Sequence, residues 1–420
     1  MNIVEIKNKV KKIIPPAAIN AYHFCLAFFG AARYGFPSRK IKVIGVTGTN
    51  GKSTTVIMVS RILEQAGYKA AVSSSIEFRV GDKSWKNKTR MTMPGRFALQ
   101  KLLSDGVKSK CQYAVIEVSS EGIKQHRHRF IDFEAVLATN VTPEHIESHG
   151  SFENYLNAKG KLFKSCQNIH IINLDDANFD YFAKFAAKTK YAYGIDNAKN
   201  IQKNIKIVKA QNYNGLSFEI DGTKFDLKLN GKFNVYNALA AICVGLSQGI
   251  SLDVCQKALR EINIIPGRME QIIFQPFSVF IDYAVTPDSL EKAYQTAKGD
   301  ICDGKLICVL GACGGGRDKW KRSVMGKIAQ KYCDQVILTN EDPYDEDPQA
   351  ILDQIAYGSD NVRKIIDRRE AIAKALKISQ KGDVVMITGK GCEESMCLAH
   401  GKKIPWNDKN IAKEEMGKLF

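Results

Sequence analysis

Short apolar runs alternate with amphipathic stretches along the chain from residue 41 onward. The apolar runs have the length and β-branched content of buried strands, and they cover residues 41–46, 113–118, 135–139 and 169–173. Helical spacing of apolar residues lies between them, for example in residues 54–66 and 97–105. Because strands that alternate with helices form a mainly parallel sheet, this pattern predicts an α/β fold with helices covering the sheet.

The pattern changes between residues 200 and 230, where polar and apolar residues alternate in the short steps of antiparallel hairpins. An alanine-rich helix is predicted at 234–249, and Ile265-Pro266-Gly267 then interrupts the series. A second alternating series follows, with predicted strands at 279–283, 306–310, 335–339 and 384–388. The second series predicts a separate nucleotide-fold-like domain that begins near residue 264.

A glycine-rich turn follows the first predicted strand and opens the first predicted helix. It consists of Gly48, Thr49, Asn50, Gly51, Lys52, Ser53 and Thr54. In such a turn the glycines let backbone N–H groups approach an anion, the lysine reaches terminal phosphates, and the serine ligates Mg²⁺. The helix N-terminus adds a favourable dipole. Since the usual spacing has glycine where this chain has Val46, we predict a variant phosphate-binding loop; the alternative is an ordinary turn before a helix.

The 420 residues are enough for two or three domains. The turn and the two alternating series together predict the fold class: α/β, with a central P-loop ATPase-like parallel-sheet domain and a C-terminal Rossmann-like domain. We place a short N-terminal helical segment at 1–40, the central domain at 41–264 and the C-terminal domain at 265–420.

Two predicted strand ends carry further candidate chemistry. Glu117 ends one strand, and His145 lies just past the end of the next. Ligands of open parallel sheets bind at the carboxyl ends of strands, so Glu117 and His145 are expected at the same rim as Lys52, where the glutamate and the histidine could hold Mg²⁺. Each residue alone also fits a structural role, and the spacing around Lys159 alone fits a solvated helix face.

The net charge of +17 suits an anionic partner such as a nucleotide or an acidic membrane surface, and it equally fits dispersed, solvated lysines. The lysines do not cluster on a helix with stacking aromatic residues, so we expect no nucleic-acid partner. The 11 cysteines lack paired metal-ligand spacing. We therefore expect a reducing, cytoplasmic environment with mostly buried free thiols and no zinc site.

Residues 17–36 are apolar but are interrupted by Asn20, His23 and Arg33, which makes them a poor membrane span. Basic residues flank the stretch, namely Lys7, Lys9, Lys11, Lys12, Arg39 and Lys40. An interfacial helix that makes a peripheral membrane contact is one interpretation, and a helix packed on the main body is the other. No signal peptide is evident, and we expect a cytoplasmic protein.

Several longer motifs follow one another along the chain. They are Thr92-Met93-Pro94, Glu117-Val118-Ser119-Ser120, Thr139-Asn140, Ala158-Lys159, Pro266-Gly267-Arg268, Asp282-Tyr283-Ala284, Arg317-Asp318-Lys319 and Gly389-Lys390-Gly391 with Glu393. With the glycine-rich turn, they resemble the Mur ligase family, ATP-dependent amide-bond-forming enzymes of peptidoglycan assembly, over residues 41–415. The most similar branch adds the third residue to UDP-N-acetylmuramoyl-dipeptide.

The resemblance implies an activity: an amino acid is joined to a muramoyl-peptide carboxylate through an acyl phosphate, with ATP and Mg²⁺. The implied catalytic residues are Lys52, Glu117, His145 and Lys159. The implied ATP contacts are the loop Gly48, Thr49, Asn50, Gly51, Lys52, Ser53 and Thr54 with Asn237, Arg268 and Asp282. The implied metal ligands are Ser53, Glu117, His145 and a carbamylated Lys159. The implied substrate contacts are Thr92, Ser119, Ser120 and Arg127 for the acceptor, and Asp342, Tyr344, Gly389 and Glu393 for the amino acid.

Two departures from the family bear on its substrates. The family's uridine-binding first domain has about a hundred residues, whereas about forty precede the loop strand here, so a UDP-linked and a lipid-linked acceptor both stay open. The family segment Asp-Asn-Pro-Arg, which reads the distal carboxylate of diaminopimelate, is Glu341-Asp342-Pro343-Tyr344 here. Tyr344 cannot make the bidentate contact of an arginine, and Glu341, Asp342 and Asp345 favour a cationic tail such as lysine or ornithine.

Two rival functions remain from the sequence. A related ligase acting on another carboxylate, such as a folylpolyglutamate synthetase, shares the turn, although the segments at Glu117 and Gly389 fit the muramyl branch better. A non-catalytic, nucleotide-gated binding protein is the alternative from another class, and the presence of Lys52, Glu117, His145 and Lys159 together argues against it. We expect a monomer.

Overall fold

The computed structural model describes residues 14–196 and 204–419. The flanking residues Lys7, Lys9, Lys11 and Lys12 of the predicted N-terminal segment lie outside the described residues. The chain forms two compact units. The first unit contains the described residues up to Pro143 together with Ser151–Asn263, and the second contains Glu144–Gly150 and Ile264–Phe420.

The first unit is built on a nine-stranded sheet within the described residues. Its strands are β1 Lys42–Thr47, β2 Ala70–Ser73, β3 Glu77–Val80, β4 Lys83–Lys86, β5 Tyr113–Glu117, β6 Phe133–Ala138, β7 Ile169–Asn173, β8 Thr189–Gly194 and β9 Ile205–Lys209. Their order is β4-β3-β2-β5-β1-β6-β7-β8-β9. All neighbours from β2 to β9 pair in parallel, and β3 and β4 add an antiparallel edge. The predicted parallel sheet is confirmed.

The central strand β1 lies between β5 and β6, and this register positions the predicted site. Val46 pairs with Glu117 of β5, and Thr47 pairs with Ala138 of β6. The apolar residues of β1 are fully buried because helices cover both faces of a parallel sheet. Three consecutive strands therefore end at one edge, where the glycine-rich turn, Ser119 and Thr139 follow them.

Helices cover the sheet of the first unit. They are α1 Pro16–Arg33, α2 Lys52–Gln65, α3 Arg96–Lys108, α4 Ser120–Lys124, α6 Phe152–Ser165, α7 Phe179–Ala183, α8 Lys232–Ser247 and α9 Leu252–Arg260. The short helix α5 Ile146–His149 belongs to the second unit. The helix α8 is apolar on almost every side and is buried along most of its length. This all-round burial agrees with its alanine-rich sequence.

The hairpins predicted between residues 200 and 230 form only part of that region. A three-stranded antiparallel sheet contains β10 Gln211–Asn214, β11 Ser217–Ile220 and β12 Thr223–Asp226. The preceding strand β9 instead pairs in parallel with β8 and extends the large sheet. Alternation of polar and apolar residues indicates a strand with one solvated face, but it does not specify the partner strand.

The second unit has a six-stranded sheet in the described residues, with the order β13-β14-β18-β15-β16-β17. The strands are β13 Glu270–Ile273, β14 Ser278–Asp282, β15 Leu306–Leu310, β16 Gln335–Leu338, β17 Val362–Lys364 and β18 Val384–Thr388. All pairs are parallel except β13 with β14. A small hairpin adds β19 Ser395–Cys397 and β20 Lys403–Pro405.

The helices of the second unit are α10 Pro287–Thr296, α11 Lys321–Tyr332, α12 Pro348–Ala356, α13 Arg368–Ile378 and α14 Asp408–Met416. The apolar core contains Val279, Ile307 and Ile387 from three neighbouring strands, and α13 and α14 pack against it. The second predicted α/β series is confirmed as a sheet with helices.

Nine cysteines are free, and Cys308 is disulfide-bonded to Cys333. Mostly free thiols were expected, and this pair is the exception that the sequence spacing did not reveal. Within residues 14–196 and 204–419, no helix has the length and apolar content needed to cross a membrane.

Candidate active site

The glycine-rich turn between β1 and α2 is fixed by the end of β6. Thr49 N donates to Asn140 O at 2.7 Å, and Asn50 N donates to the side-chain oxygen of Asn140 at 3.0 Å. In return, the Thr139 hydroxyl donates to Asn50 O at 2.7 Å. These contacts hold the loop from Gly48 onward in one conformation at the edge of the sheet.

Two positions in the loop require glycine. A Cβ on Gly48 would lie 1.9 Å from Thr139 Oγ1, and one on Gly51 would lie 2.3 Å from Asn237 Oδ1. Gly51 also has a φ of +83°, which L side chains rarely adopt. Phosphate-binding loops usually have a glycine at the position of Val46. Here that position still belongs to the buried strand β1, so no glycine is needed. The variant spacing therefore agrees with the local structure.

Two lysines meet at the carbonyl oxygen of Gly48. Lys52 Nζ donates to Gly48 O at 3.1 Å and to Thr49 O at 2.9 Å. Lys159 Nζ, which comes from α6, donates to the same Gly48 O at 2.7 Å and lies 4.5 Å from the Tyr155 ring centroid. The structure thus brings Lys159 to the loop, although its spacing in the sequence alone did not single it out.

Lys159 is 1% exposed and has unusual electrostatics for a lysine. Burial, and then the charge of the neighbouring Lys52, hold the pKa of the Lys159 ammonium well below its usual value. In the described residues no carboxylate forms an ion pair with it. This environment favours a neutral amine, which is a nucleophile rather than a fixed cation.

Glu117 is fully buried at the end of β5, and its carboxylate is oriented by Ser75. Ser75 N donates to Glu117 Oε1 at 2.7 Å, and the Ser75 hydroxyl donates to Oε2 at 3.2 Å. The same hydroxyl oxygen lies 3.1 Å from Thr92 Oγ1 and accepts from the Thr92 hydroxyl. Ser75 therefore joins a predicted metal ligand to a predicted acceptor contact. Sequence reasoning missed it, because no motif marks the loop after β2.

The other predicted acceptor residues lie around α4. The Ser119 hydroxyl caps this helix by accepting from Gly122 N at 3.1 Å, and Ser120 is buried in its first turn. The Arg127 guanidinium donates to Met93 O and, at 2.8 Å, to Gln125 Oε1. Arg127 therefore holds the segment that follows Thr92.

His145 lies in the segment Glu144–Gly150, which belongs to the second unit. It has a φ of +58° and precedes the first turn of α5. Asp318 accepts from Ile146 N at 3.1 Å and from Glu147 N at 3.0 Å. The backbone that carries His145 is therefore fixed by a residue of the predicted Arg317-Asp318-Lys319 motif.

Glu144 precedes His145 in the chain and is buried. Its carboxylate accepts from the buried Lys321 Nζ at 2.7 Å. Burial raises the pKa of Glu144, and Lys321 opposes that shift. The residue next to His145 thus forms a buried ion pair.

Asp282 and Arg268 come together in the second unit. Asp282 accepts from Met269 N at 2.7 Å, and burial raises the pKa of its carboxyl to about 6. The Arg268 guanidinium lies 4.7 Å from the Tyr283 ring centroid and donates to Gly267 O at 3.0 Å. The two predicted nucleotide contacts of this unit therefore lie on adjoining segments.

A buried lysine organises the residues predicted for the amino acid. Lys390 Nζ donates to both Asp342 oxygens, at 2.9 and 3.0 Å, and to Glu393 Oε2 at 2.6 Å. Asp342 also accepts from Cys397 N at 2.7 Å. Gly389 packs against Glu341, whose pKa burial raises to about 7. In the sequence, Lys390 is visible only as part of the motif Gly389-Lys390-Gly391, and the motif alone indicates no role for it.

The contacts of Lys390 bear on the three acidic residues that were expected to favour a cationic amino acid, namely Glu341, Asp342 and Asp345. Asp342 is already engaged by Lys390, and Asp345 accepts from His400 N at 2.7 Å. Two of the three acidic residues that favoured a cationic tail therefore have internal partners. Tyr344 is half-buried at a φ of +52°, with its ring over Gly315.

Two family models match the chain. The Mur ligase middle domain covers residues 46–245, and the Mur ligase glutamate ligase domain covers residues 267–391. Together they include the loop, Glu117, His145, Lys159 and most of the second sheet.

Individual relatives give the same answer. A Clostridium acetobutylicum protein named UDP-N-acetylmuramoyl-L-alanyl-D-glutamate--2,6-diaminopimelate ligase 1 is 39% identical over 411 residues, or 94% of this chain and 82% of that protein. A Roseiflexus protein named UDP-N-acetylmuramyl-tripeptide synthetase is 33% identical over 436 residues, or 97% of this chain and 84% of that protein. A solved UDP-N-acetylmuramoyl-L-alanyl-D-glutamate--2,6-diaminopimelate ligase is 29% identical with a TM-score of 0.60, covering 90% of this chain and 79% of that one.

A phosphate-binding loop at the carboxyl edge of a parallel sheet, followed by a second α/β unit, fits these matches. The protein is an ATP-dependent ligase. More particularly, the chain belongs to the Mur ligase family.

Proposed function

We propose that the protein joins an amino acid to the carboxylate of a muramoyl-dipeptide during peptidoglycan precursor synthesis. The observation that carries this proposal is the meeting of Lys52 and the buried Lys159 at Gly48 O, on a loop that has the family's sequence. The names of the relatives support the choice of substrates.

The chemistry follows from the poor reactivity of a carboxylate at neutral pH. A carboxylate oxygen attacks the γ-phosphorus of ATP, the bond to the β-phosphate oxygen breaks, and ADP leaves. The amine of the amino acid then attacks the carbonyl carbon of the acyl phosphate. The tetrahedral intermediate expels phosphate, and the nitrogen loses its proton to give the amide. Loop amides and Lys52 would stabilise charge on the transferring group.

The residues also fit a magnesium site. Hydroxyl and carboxylate oxygens are the ligands that Mg²⁺ prefers, and the buried Glu117 carboxylate is held in position by Ser75. Ser53, Glu117, His145 and a carbamylated Lys159 would hold the ion. When bound, Mg²⁺ would neutralise charge on the phosphoryl oxygens.

Carbamylation of Lys159 would complete this ligand set. The neutral amine attacks the carbon of CO₂, an N–C bond forms, and the nitrogen loses a proton to give an anionic carbamate. The lowered pKa of Lys159 supports this proposal, because only the unprotonated amine reacts. Intact-protein mass spectrometry in bicarbonate buffer should show an added mass of one CO₂, which Lys159→Met should lack.

For the acceptor, we propose contacts with Thr92, Ser119, Ser120 and Arg127. Thr92 is tied to Glu117 through Ser75, so the acceptor carboxylate would lie near the phosphoryl group. The relatives are named for UDP-linked substrates. A lipid-linked muramoyl-dipeptide is the alternative, and equal turnover of the two acceptors would contradict a requirement for the lipid.

For the amino acid, we propose contacts with Asp342, Tyr344, Gly389 and Glu393. Tyr344 offers no cation to a distal carboxylate, which favours lysine or ornithine, whereas a relative at 39% identity is named for 2,6-diaminopimelate. Tyr344→Arg should raise the preference for diaminopimelate over lysine by about tenfold or more, since an arginine adds a bidentate contact. Tyr344→Phe is the control. An unchanged ratio of diaminopimelate to lysine turnover in Tyr344→Arg would show that Tyr344 does not determine amino-acid specificity.

The decisive experiment is phosphate release over a matrix of acceptors and amino acids. The acceptors are UDP-linked and lipid-linked muramoyl-dipeptides and a folate-type carboxylate, and the amino acids are diaminopimelate, lysine, ornithine and glutamate. Release should require both a muramoyl acceptor and an amino acid, and Lys52→Met should abolish it. Phosphate release with the folate-type acceptor, but with neither muramoyl-dipeptide, would overturn the proposed substrate.

We also propose that the protein acts as a monomer, with a domain boundary near residue 264. Light scattering should give the 46.7 kDa mass of one chain. The membrane contact expected for residues 17–36 depends on a separate surface, the exposed face of α1.

A further inference from the structure

The helix α1 packs on the first unit through one narrow side. Ala27, Gly30 and Ala31 are its buried residues. Gly30 comes close to the start of α3, since a Cβ there would lie 3.4 Å from Arg96 O. His23 Nδ1 and Arg96 Nη2 are 2.5 Å apart, and His126 Nε2 lies 2.7 Å from Asn20 Oδ1. The helix is therefore attached to the body of the protein, as one of the two interpretations expected.

The opposite side of α1 is apolar and open to solvent. Tyr22 is 60% exposed, Phe29 is 58% exposed, and Phe24 and Phe28 are each 43% exposed. Within α1, all of which the structure describes, Arg33 is the single charged residue. An amphipathic helix normally turns charged residues to water, so this face is unusual for a surface helix.

Ring contacts join Phe24, Phe28 and Phe29 to two neighbouring phenylalanines, and Tyr22 is exposed on the same helix. We define the aromatic patch as Tyr22, Phe24, Phe28, Phe29, Phe36 and Phe130. Ring centroids lie 5.2 Å apart for Phe24 and Phe130, 5.5 Å for Phe28 and Phe130, and 6.2 Å for Phe28 and Phe36. Phe36 and Phe130 have φ values of +50° and +59°, which are rare for bulky residues. Three chain segments thus contribute to one apolar surface.

Basic residues lie beside the aromatic patch. His126, whose ring contacts Phe24, has a pKa lowered first by burial and then by the nearby Arg129, Lys161 and Arg96. The Arg39 guanidinium carbon lies 4.8 Å from the Phe36 ring centroid. The patch therefore has basic residues beside its apolar rings.

We propose that the aromatic patch binds the surface of an anionic phospholipid bilayer, with α1 lying in the plane of the interface. Its 18 residues give a length of about 27 Å. Helices of this kind insert apolar and aromatic side chains at the acyl boundary, while basic residues contact anionic headgroups. The helix lies on the membrane and does not cross it.

The charge distribution selects this occupant over a second copy of the chain. A symmetric dimer through the patch would bring the same basic residues of both copies together, and like charges oppose such an interface. An anionic bilayer offers the opposite charge and an apolar layer beneath it. Both features of the patch are then matched by one partner.

The patch adjoins the segment proposed for the acceptor. Phe130 and His126 follow directly after α4, and Arg96 follows Thr92 by four residues. Resting on the proposed function, membrane binding would hold the acceptor-binding part of the enzyme close to the bilayer. The binding itself requires neither ATP nor an amino acid.

Co-sedimentation with vesicles tests the proposal. The full chain should bind vesicles of phosphatidylglycerol and phosphatidylcholine and should not bind phosphatidylcholine alone. Raising salt from about 0.1 M to about 0.5 M should weaken binding, because the screening length falls. The double variant Tyr22→Ser, Phe29→Ser should lose affinity by at least about tenfold, since two rings would no longer enter the interface.

The matched control is Phe274→Ser, Tyr357→Ser, which removes two rings from the second unit. These rings are 67% and 74% exposed, so the control changes a similar amount of exposed aromatic surface. It should bind vesicles like the wild type. Thermal unfolding should be unchanged in both double variants, which separates a lost surface from a lost fold.

Three results would overturn the proposal: no binding to anionic vesicles, equal binding to neutral vesicles, or equal loss in the two double variants. A concentration-dependent dimer that Tyr22→Ser, Phe29→Ser abolishes, without vesicle binding, would assign the patch to a second copy. Because the assay contains no substrates, its failure is distinct from a failure of phosphate release by the same preparation.

Discussion

Two buried lysines, one in each unit, have opposite surroundings. Lys390 of the second unit is 0% exposed and contacts the carboxylates of Asp342 and Glu393. Lys159 of the first unit is 1% exposed and contacts a backbone carbonyl, an aromatic ring and the charge of Lys52. Burial is the same, but the partners differ. The comparison indicates that ion pairs hold Lys390 in the structure, whereas the surroundings of Lys159 favour the neutral amine.

The largest expected effect is on turnover in Lys159→Met. The change keeps the side-chain length and removes the amine that would be carbamylated, so phosphate release should fall by about a thousandfold. Its thermal unfolding midpoint should be equal or higher, because an apolar group replaces a poorly solvated amine. Near-normal turnover in this variant would place Lys159 with Lys390 as a structural residue.

The next effect is on the stability of Lys390→Met. This change leaves the buried Asp342 and the half-buried Glu393 without the Lys390 ammonium, and the free energy of unfolding should fall by about 3–5 kcal/mol. Denaturant unfolding measures the loss. Adding Asp342→Asn to Lys390→Met should recover part of it, because the buried carboxylate that lost its cation is replaced by a neutral amide. If the single variant is as stable as the wild type, the ion pairs do not support the fold.

The pH dependence of stability provides a third, smaller test. The folded pKa of Lys159 is below 10.5, so the unfolded chain binds the extra proton between the two pKa values. Stability is therefore lost as pH falls through this window and regained as pH rises towards 10.5. In CO₂-free buffer, the free energy of unfolding of the wild type relative to Lys159→Met should rise by at most about 1.4 kcal/mol for each unit of increasing pH. Parallel stability curves for the two proteins would contradict the lowered pKa.

The smallest effect is expected for an exposed lysine. Lys101 pairs with Asp105 on the surface of α3. Lys101→Met should change neither phosphate release nor the unfolding midpoint measurably, because solvent screens such pairs. This variant is the control for both buried lysines, and a large effect would mean that loss of any lysine perturbs the protein.

The sequence was sufficient for the elements that depend on local pattern. Apolar runs predicted strands such as β5, β7, β15 and β18 to within a residue or two, and the glycine-rich turn predicted the loop. These features are visible because burial on both faces leaves continuous apolar runs. The sequence did not predict which sheet β9 joins, since its pairing with β8 depends on the packing of the whole sheet.

The candidate site was predictable only where a motif marked it. Ser75 and Glu117 are 42 residues apart, and Lys159 and Gly48 are 111 apart, so sheet order rather than local sequence brings them together. Asp318 likewise contacts the segment after His145 across 172 residues. No periodicity in the chain encodes such contacts. The resemblance supplied the names of several residues, while the structure supplied their partners.

The contacts between Asn140 and the backbone of Thr49 and Asn50 have a consequence for substrate entry. Asn140 already immobilises the turn in the folded protein. Binding of a triphosphate would therefore cost little further conformational entropy of the backbone amides. We therefore expect ATP to bind without a slow rearrangement of the glycine-rich turn. Its association rate should be governed by diffusion and by the positive field of the protein.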